Sequence, residues 1–261
     1  MSRPKTILAS PPHILSAEDP GWPSRLSELR DPPAQLRVAG TLPNLEGAVA
    51  VVGTRYADDA ALKFAHGLGV ALAAGGRAVI SGGALGIDAA AHRGALDAGG
   101  TTVCVLATGF DRTYPPQHGP LFSEIARHGA LVTEQADGLP PLGWAFLARN
   151  RLIAARADLV VVVQAPLRSG ALSTAAVAKR LGKPVLSVPY APWEIRGEGC
   201  VELLRRGALV CTSPRDVLSV RPHESDQAPP ERLRAGKNAI DINELDVSEL
   251  DDDCRSVLRK L

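Results

Sequence analysis

Along most of the chain, short unbroken apolar runs alternate with longer stretches whose apolar residues recur every three to four positions. "AVAVVG" (48–53) has no polar interruption, as expected of a parallel strand covered on both faces. "DDAALKFAHGLGVALAA" (58–74) follows with helical spacing and two acids at its head, which favour a helix start. The same alternation continues with apolar runs at 77–82, 101–109, 129–135, 158–165, 183–189 and 208–214. Helical patterns separate them at 87–98, 119–128, 143–157, 169–182 and 199–206. Strand-helix alternation of this kind predicts an α/β fold: a doubly wound, mostly parallel sheet with right-handed crossovers.

The two ends break the pattern. Residues 1–45 are rich in proline and read as an N-terminal extension packed on the core, with "LRVAG" (36–40) as an added strand. The core domain then runs over 46–220. Residues 221–240 are polar and turn-rich, as in a linker. The tail, 241–261, opens with seven acids and no Lys or Arg in "DINELDVSELDDD", and then sets Leu250, Cys254, Val257, Leu258 and Leu261 at helical spacing. Ser248 and Asp251 fit a capping box for that short amphipathic helix.

Composition narrows the class without naming a function. Hydrophobic residues make up 45% and charged residues 22% of the chain, a globular balance. No apolar run has the length of a membrane span, and a cytoplasmic protein is expected. Cys104, Cys200, Cys211 and Cys254 have no CxxC spacing, so they predict reduced thiols rather than a zinc site. A net charge of +1 leaves nucleic-acid binding to local basic patches.

In an open parallel sheet, ligands sit at the carboxyl ends of the strands. Four segments are expected there: Gly53-Thr54-Arg55, the turn Ser81-Gly82-Gly83 through Gly86-Ile87-Asp88, Arg149-Asn150-Arg151, and Arg168-Ser169-Gly170. Glycines let backbone N–H groups approach a ligand, and helix N-termini favour anions. They also serve simple tight turns. Asp88 reads as a helix cap in preference to a catalyst, and His92 as an ordinary core or surface residue. Arg55, Arg112, Arg149, Arg151 and Arg168 are expected on loops or helix starts, without nearby acids, around one crevice. Such a cluster suits a polyanion. Phe146 or Trp144 would stack a base. No G-x-S-x-G, HExxH or Walker motif is present, and 165–181 holds no Asp or Glu, so no catalytic residue, metal or cofactor is assigned.

"VAVVGTR", "ISGGALGIDAAAHRGALDAGGTTVCVLATGFDRTYP", "FLARNRLIAARADLVVVVQAPLRSGALSTAAVAKRLGKPVLSVP" and "RGALVCTSPRDVL" together resemble the DprA/Smf family of DNA-processing proteins, over roughly residues 20–218. The resemblance implies an extended Rossmann-like domain that binds single-stranded DNA, forms homodimers and loads the RecA recombinase during natural transformation. It implies DNA-contact roles for Gly53, Thr54 and Arg55, for the Ser81–Asp88 turn, for Arg149, Asn150 and Arg151, and for Arg168, Ser169 and Gly170. Where the family often has a basic residue after "YP", Pro116 stands here. "LDDDCRSVLRKL" (250–261) resembles the first helix of the family's C-terminal winged helix. The rival reading is a nucleotide-binding protein or phosphoribohydrolase of the LOG type. That motif carries an essential Glu, and the comparable turn here, "APLRSGALSTAAVAK", has none.

Overall fold

The computed structural model describes residues 11–220; the linker and acidic tail expected at 221–261 lie outside them. The elements run β1 (His13–Ser16), β2 (Gln35–Gly40), β3 (Val49–Val52), α1 (Asp59–Ala74), β4 (Val79–Gly82), α2 (Ile87–Asp97), β5 (Thr102–Val105), α3 (Gly119–His128) and β6 (Ala130–Thr133). They continue with α4 (Gly143–Arg156), β7 (Leu159–Val162), α5 (Gly170–Arg180), β8 (Val185–Ser187), α6 (Glu198–Arg205), β9 (Leu209–Val210) and α7 (Pro214–Leu218).

All nine strands form one sheet in the order β1-β2-β6-β5-β4-β3-β7-β8-β9. The pairs from β6 across to β9 are parallel; β1–β2 and β2–β6 are antiparallel. The "LRVAG" strand is thus β2, closing the β6 edge with Val38 opposite Val132. β1, which the sequence pattern does not announce, pairs outside it.

The unbroken apolar runs follow from burial on both faces. Along β3, Ala50 and Val52 pack with Leu152, Ile153 and Ala175 of α4 and α5, together with Leu26 and Leu29 of the N-terminal segment. Val49 and Val51 face the other way, onto Ala65, Leu68, Leu72 and Ala91 of α1 and α2. A third cluster joins Phe122 and Ile125 of α3 to Cys104, Leu106 and Leu131. Each fully buried Val or Leu stabilises by about 1.5–3 kcal/mol. Glycine brings α1 and α2 together: a Cβ on Gly69 would meet the Ala91 carbonyl, and one on Gly94 the His66 carbonyl. The three described cysteines are buried free thiols, and burial pushes Cys211 up to about 12. No helix among the described residues is long and apolar enough to cross a membrane.

Candidate nucleic-acid interface

Strand order reverses at β3: the chain winds from β3 through β4, β5 and β6 on one side, then crosses to β7, β8 and β9 on the other. The loops after β3 and β7 therefore diverge and leave a crevice at their carboxyl ends. Three of the four expected segments follow β3, β4 and β7. The fourth, Arg149-Asn150-Arg151, lies inside α4. The expectation that every arginine of the cluster sits on a loop or helix start is corrected for Arg149 and Arg151.

The floor of the crevice is built from close backbone contacts. A Cβ on Gly53 would lie 2.5 Å from Ile87 Cγ1 and 2.9 Å from the Gln164 carbonyl. The Thr54 N–H donates to that carbonyl at 2.7 Å, and the Ile87 N–H to the Thr54 carbonyl at 3.3 Å. Gly86 has φ +78°, and a Cβ there would run into the Thr54 carbonyl. The turn before α2 is thus pressed against the β3 loop, and only glycine fits. Ser81 is buried and donates to the Val51 carbonyl at 2.6 Å.

Asp88 does not cap α2; the N-cap is Gly86. From the first turn, Asp88 accepts from the Ala84 N–H at 3.4 Å. It therefore fills from within part of the anion-favouring space that the turn creates. Burial raises its pKa to about 6, against the opposing pull of Arg149, the Ala84 N–H, Ser81 and Arg55. His92 is an internal brace. Its Nε2 donates to the Gly82 carbonyl at 2.9 Å, and its Nδ1 lies 2.6 Å from Thr102 Oγ1. Burial lowers its pKa to about 4. His118 similarly meets the Gly83 carbonyl at 3.1 Å.

Arg149 runs under this turn. Its guanidinium donates to the Val105 carbonyl and, through Nε, to Asn150 Oδ1 at 3.2 Å. A Cβ on Gly82 would occupy its place; one on Gly83 would lie 2.6 Å from the Phe122 ring. Burial lowers the Arg149 pKa, with Asp88 as the main counterweight. Asn150 reaches across to α5, donating to the Gly170 carbonyl at 3.0 Å and to Ser173 Oγ at 2.8 Å. Arg151 points elsewhere, into a bidentate pair with Glu134 at 3.0 and 2.7 Å. An acid does stand beside this arginine, contrary to the expected acid-free cluster.

The rim is different. The exposed Arg55 lays its guanidinium over Phe146, 5.0 Å from the ring centroid. Phe146 in turn stacks at a tilt against Tyr114, 5.5 Å away. These groups, with Gly83, Ala84, Leu85, Leu106 and Ala107, line a small pocket above Arg149. Tyr114 is a site residue that sequence reasoning missed as a ring; its signal was the "TYP" of the resembling segment. Trp144, two residues before Phe146 on α4, is 55% exposed. Arg168 is exposed and has no hydrogen bond or ion pair among the described residues. Ser169 caps α5, accepting from the Ala171 N–H at 3.3 Å. A Cβ on Gly170 would have its nearest neighbour at 3.9 Å, so this helix start is open. Arg112 is partly buried, with its Nε unpartnered. The described residues contain no cluster of three or more His, Cys, Asp or Glu able to hold a metal ion.

Residues 13–222 match the family model for DNA recombination-mediator protein A. The chain belongs to that family. A putative DNA processing protein DprA of Mycobacterium tuberculosis is 49% identical over 181 residues, covering 69% of this chain and 46% of the relative. The DNA processing protein DprA of Streptococcus pneumoniae is 37% identical over 210 residues, 78% of this chain and 73% of the relative. The solved structure of that pneumococcal protein superposes with a TM-score of 0.76 and 36% identity, covering 79% of this chain and 73% of that one. A Helicobacter pylori family structure, described for its single-stranded DNA binding mode, superposes with a TM-score of 0.70 and 32% identity, covering 78% and 93%. The chain spans about half the length of some family members, including the Mycobacterium tuberculosis relative at 46% and the Synechocystis protein Smf at 54%.

Proposed function

We propose that this chain binds single-stranded DNA along the crevice rim and acts as a recombination mediator, delivering the strand to a RecA-class recombinase as a homodimer. The observation that carries the DNA-binding part is the rim itself: an arginine stacked on Phe146 after β3, and a second, exposed arginine without an ion pair among the described residues on the loop after the neighbouring β7, over a floor whose polar groups already have partners. Arg55 and Arg168 supply phosphate contacts, and Phe146 with Tyr114 a stacking face that accepts any base. The open start of α5 adds N–H groups and partial positive charge. Its family membership, and the printed description of the Helicobacter pylori relative as a single-stranded DNA binder, support the same reading.

The phosphoribohydrolase reading needs a carboxylate presented to the ligand. The β7–α5 turn has none. After β3, Asp58 caps α1, accepting from the Ala61 N–H and from Gln164 Nε2. Asp88 is buried.

The test is a titration of poly-dT and of a duplex of equal length across a salt series. Single strands should bind more tightly. Arg55→Ala and Arg168→Ala should each weaken binding about tenfold at low salt, and lower the log–log salt slope by about 0.7 per lost phosphate contact. Arg→Lys should rescue partly, restoring charge without the fork. Unchanged affinity in both alanine variants would place the strand elsewhere.

A further inference from the structure

A second cavity, of about 450 Å³, opens at the opposite ends of the strands, within the size range of small-molecule sites. Its walls come from the segment after β1 (Trp22, Ser24, Arg25), the approach to β3 (Pro43, Asn44) and the end of α4 (Arg156). Arg156 lies two residues before Asp158, which leads into β7, so the cavity sits at the amino ends of β3 and β7. The DNA crevice lies at their carboxyl ends, roughly 13 Å away along a four-residue strand.

The charges here are not arranged as an ordinary structural ion pair. Arg25 pairs with Asp158. Arg156 beside it has no acceptor among the described residues, and the one carboxylate among the cavity's lining residues, Glu46, is exposed; Asp158 Oδ2 is buried without a partner but does not line the cavity. Burial, with Arg25 adding repulsion, pushes the Arg156 guanidinium down to about 10. A helix C-terminus would ordinarily account for an arginine in its last turn. That role is already filled: Lys183 Nζ donates to the carbonyls of Ala154, Ala155 and Ala157 at 3.1, 2.6 and 2.7 Å. Trp22 Nε1 is also buried without an acceptor. A half-buried cation and a buried N–H donor, both unpartnered at one cavity, call for an anionic acceptor.

We propose that this cavity binds a phosphate monoester, with Arg156 as the residue that selects the anion. A phosphate group brings up to two negative charges and three acceptor oxygens. It can engage the Arg156 fork while Ser24, Asn44 and the Trp22 indole supply further donors. Proline and Trp22 side chains give the organic body of the ester an apolar wall. The site is independent of the DNA crevice and shares no residue with it.

The experiment is calorimetric titration of the full chain with thymidine 5′-monophosphate, inorganic phosphate and thymidine. Four proteins are compared: wild type, Arg156→Met, Arg156→Lys and Arg168→Ala. Methionine keeps the buried stem and removes the charge, and an unchanged melting temperature serves as the control. Wild type and Arg168→Ala should bind the monophosphate saturably and equally, with thymidine silent and inorganic phosphate weaker. Arg156→Met should weaken binding at least tenfold. Arg156→Lys should fall between, and that variant carries the test if the methionine protein does not fold. Equal binding by wild type and both Arg156 variants would overturn the proposal, as would no saturable binding by wild type. Loss in Arg168→Ala would assign the ligand to the crevice instead, and inorganic phosphate binding as tightly as the ester would exclude the monoester.

Discussion

The floor and the rim of the crevice carry the same kinds of residue in opposite states. On the floor, Ser81, Arg149 and Asn150 are buried and bonded to the protein's own carbonyls, hydroxyls and each other. On the rim, Arg55 touches only an aromatic face, and Arg168 and Gly170 have open space. Motif residues thus divide into those that shape the site and those that meet a ligand. An arginine's identity does not decide which; its place on a helix or loop does. Arg149 substitutions should therefore act through folding, and Arg55 substitutions through binding alone.

The largest effect is expected from Arg149→Met. It strands the Val105 carbonyl and removes the main cation facing buried Asp88, a loss of about 3–5 kcal/mol by the usual cost of breaking a buried charge pair. Urea unfolding should show the shift, with DNA binding lost in proportion. A folded, fully stable variant with weakened DNA binding would move Arg149 to the rim. Gly86→Ala comes next, at about 3 kcal/mol, because a Cβ at φ +78° meets the Thr54 carbonyl. Its melting temperature should fall by roughly 6–12 °C for a domain of this size.

A smaller effect sharpens the contrast through pH. Asp88 is raised to about 6 in the folded protein, so its ionisation costs stability as pH climbs from its unfolded value of 3.8 towards 6. His92 is lowered to about 4, so its protonation costs stability as pH falls from 6.5 towards 4. Between pH 4 and 6 the two slopes oppose each other. Asp88→Asn removes one of them, and stability should then rise with pH more steeply by about one proton, or ~1.4 kcal/mol per pH unit. Denaturation at pH 4.5, 5.5 and 6.5 reads this directly; parallel curves for wild type and variant would mean Asp88 does not titrate in that range. Smallest of all is the stability change in Arg55→Ala and Arg168→Ala, expected within about 0.5 kcal/mol of wild type as for other surface sites.

The layered fold was legible because each central strand is buried on both faces and therefore apolar at every position. "AVAVVG" and "DLVVVVQA" leave no other assignment. β1 was not legible: its "HILS" is short and half exposed, and its pairing with β2 depends on the chain turning back through Trp22 and the Leu26 segment. At the site, the glycines were readable as tight approaches, but the direction of each arginine was not read. For Arg149 a signal existed. Ala145, Leu152 and Ile153 flank it at helical spacing and are all buried, which puts Arg149 on the inner face and Arg151 off it. The partner of Arg151 is Glu134, 17 residues away in the bend after β6, and sequence spacing carries no such information. The paired state of Arg151, and the lack of an acceptor for Arg156 among the described residues, emerge only once the fold brings the end of β6 and the N-terminal segment to α4.

The Arg55–Phe146 stack makes the two rim arginines unequal before any ligand arrives. A free arginine side chain carries about 2 kcal/mol of rotamer entropy, and ordering one at an interface costs about 0.5–1.5 kcal/mol. Arg55 already rests on a ring 5.0 Å away, so much of its freedom is gone in the unliganded protein. Arg168, with nothing to rest on, surrenders its freedom at every encounter. On the proposed DNA-binding reading, the same phosphate contact should therefore yield more net affinity from Arg55 than from Arg168, and a strand leaving the crevice should let go of the Arg168 side first.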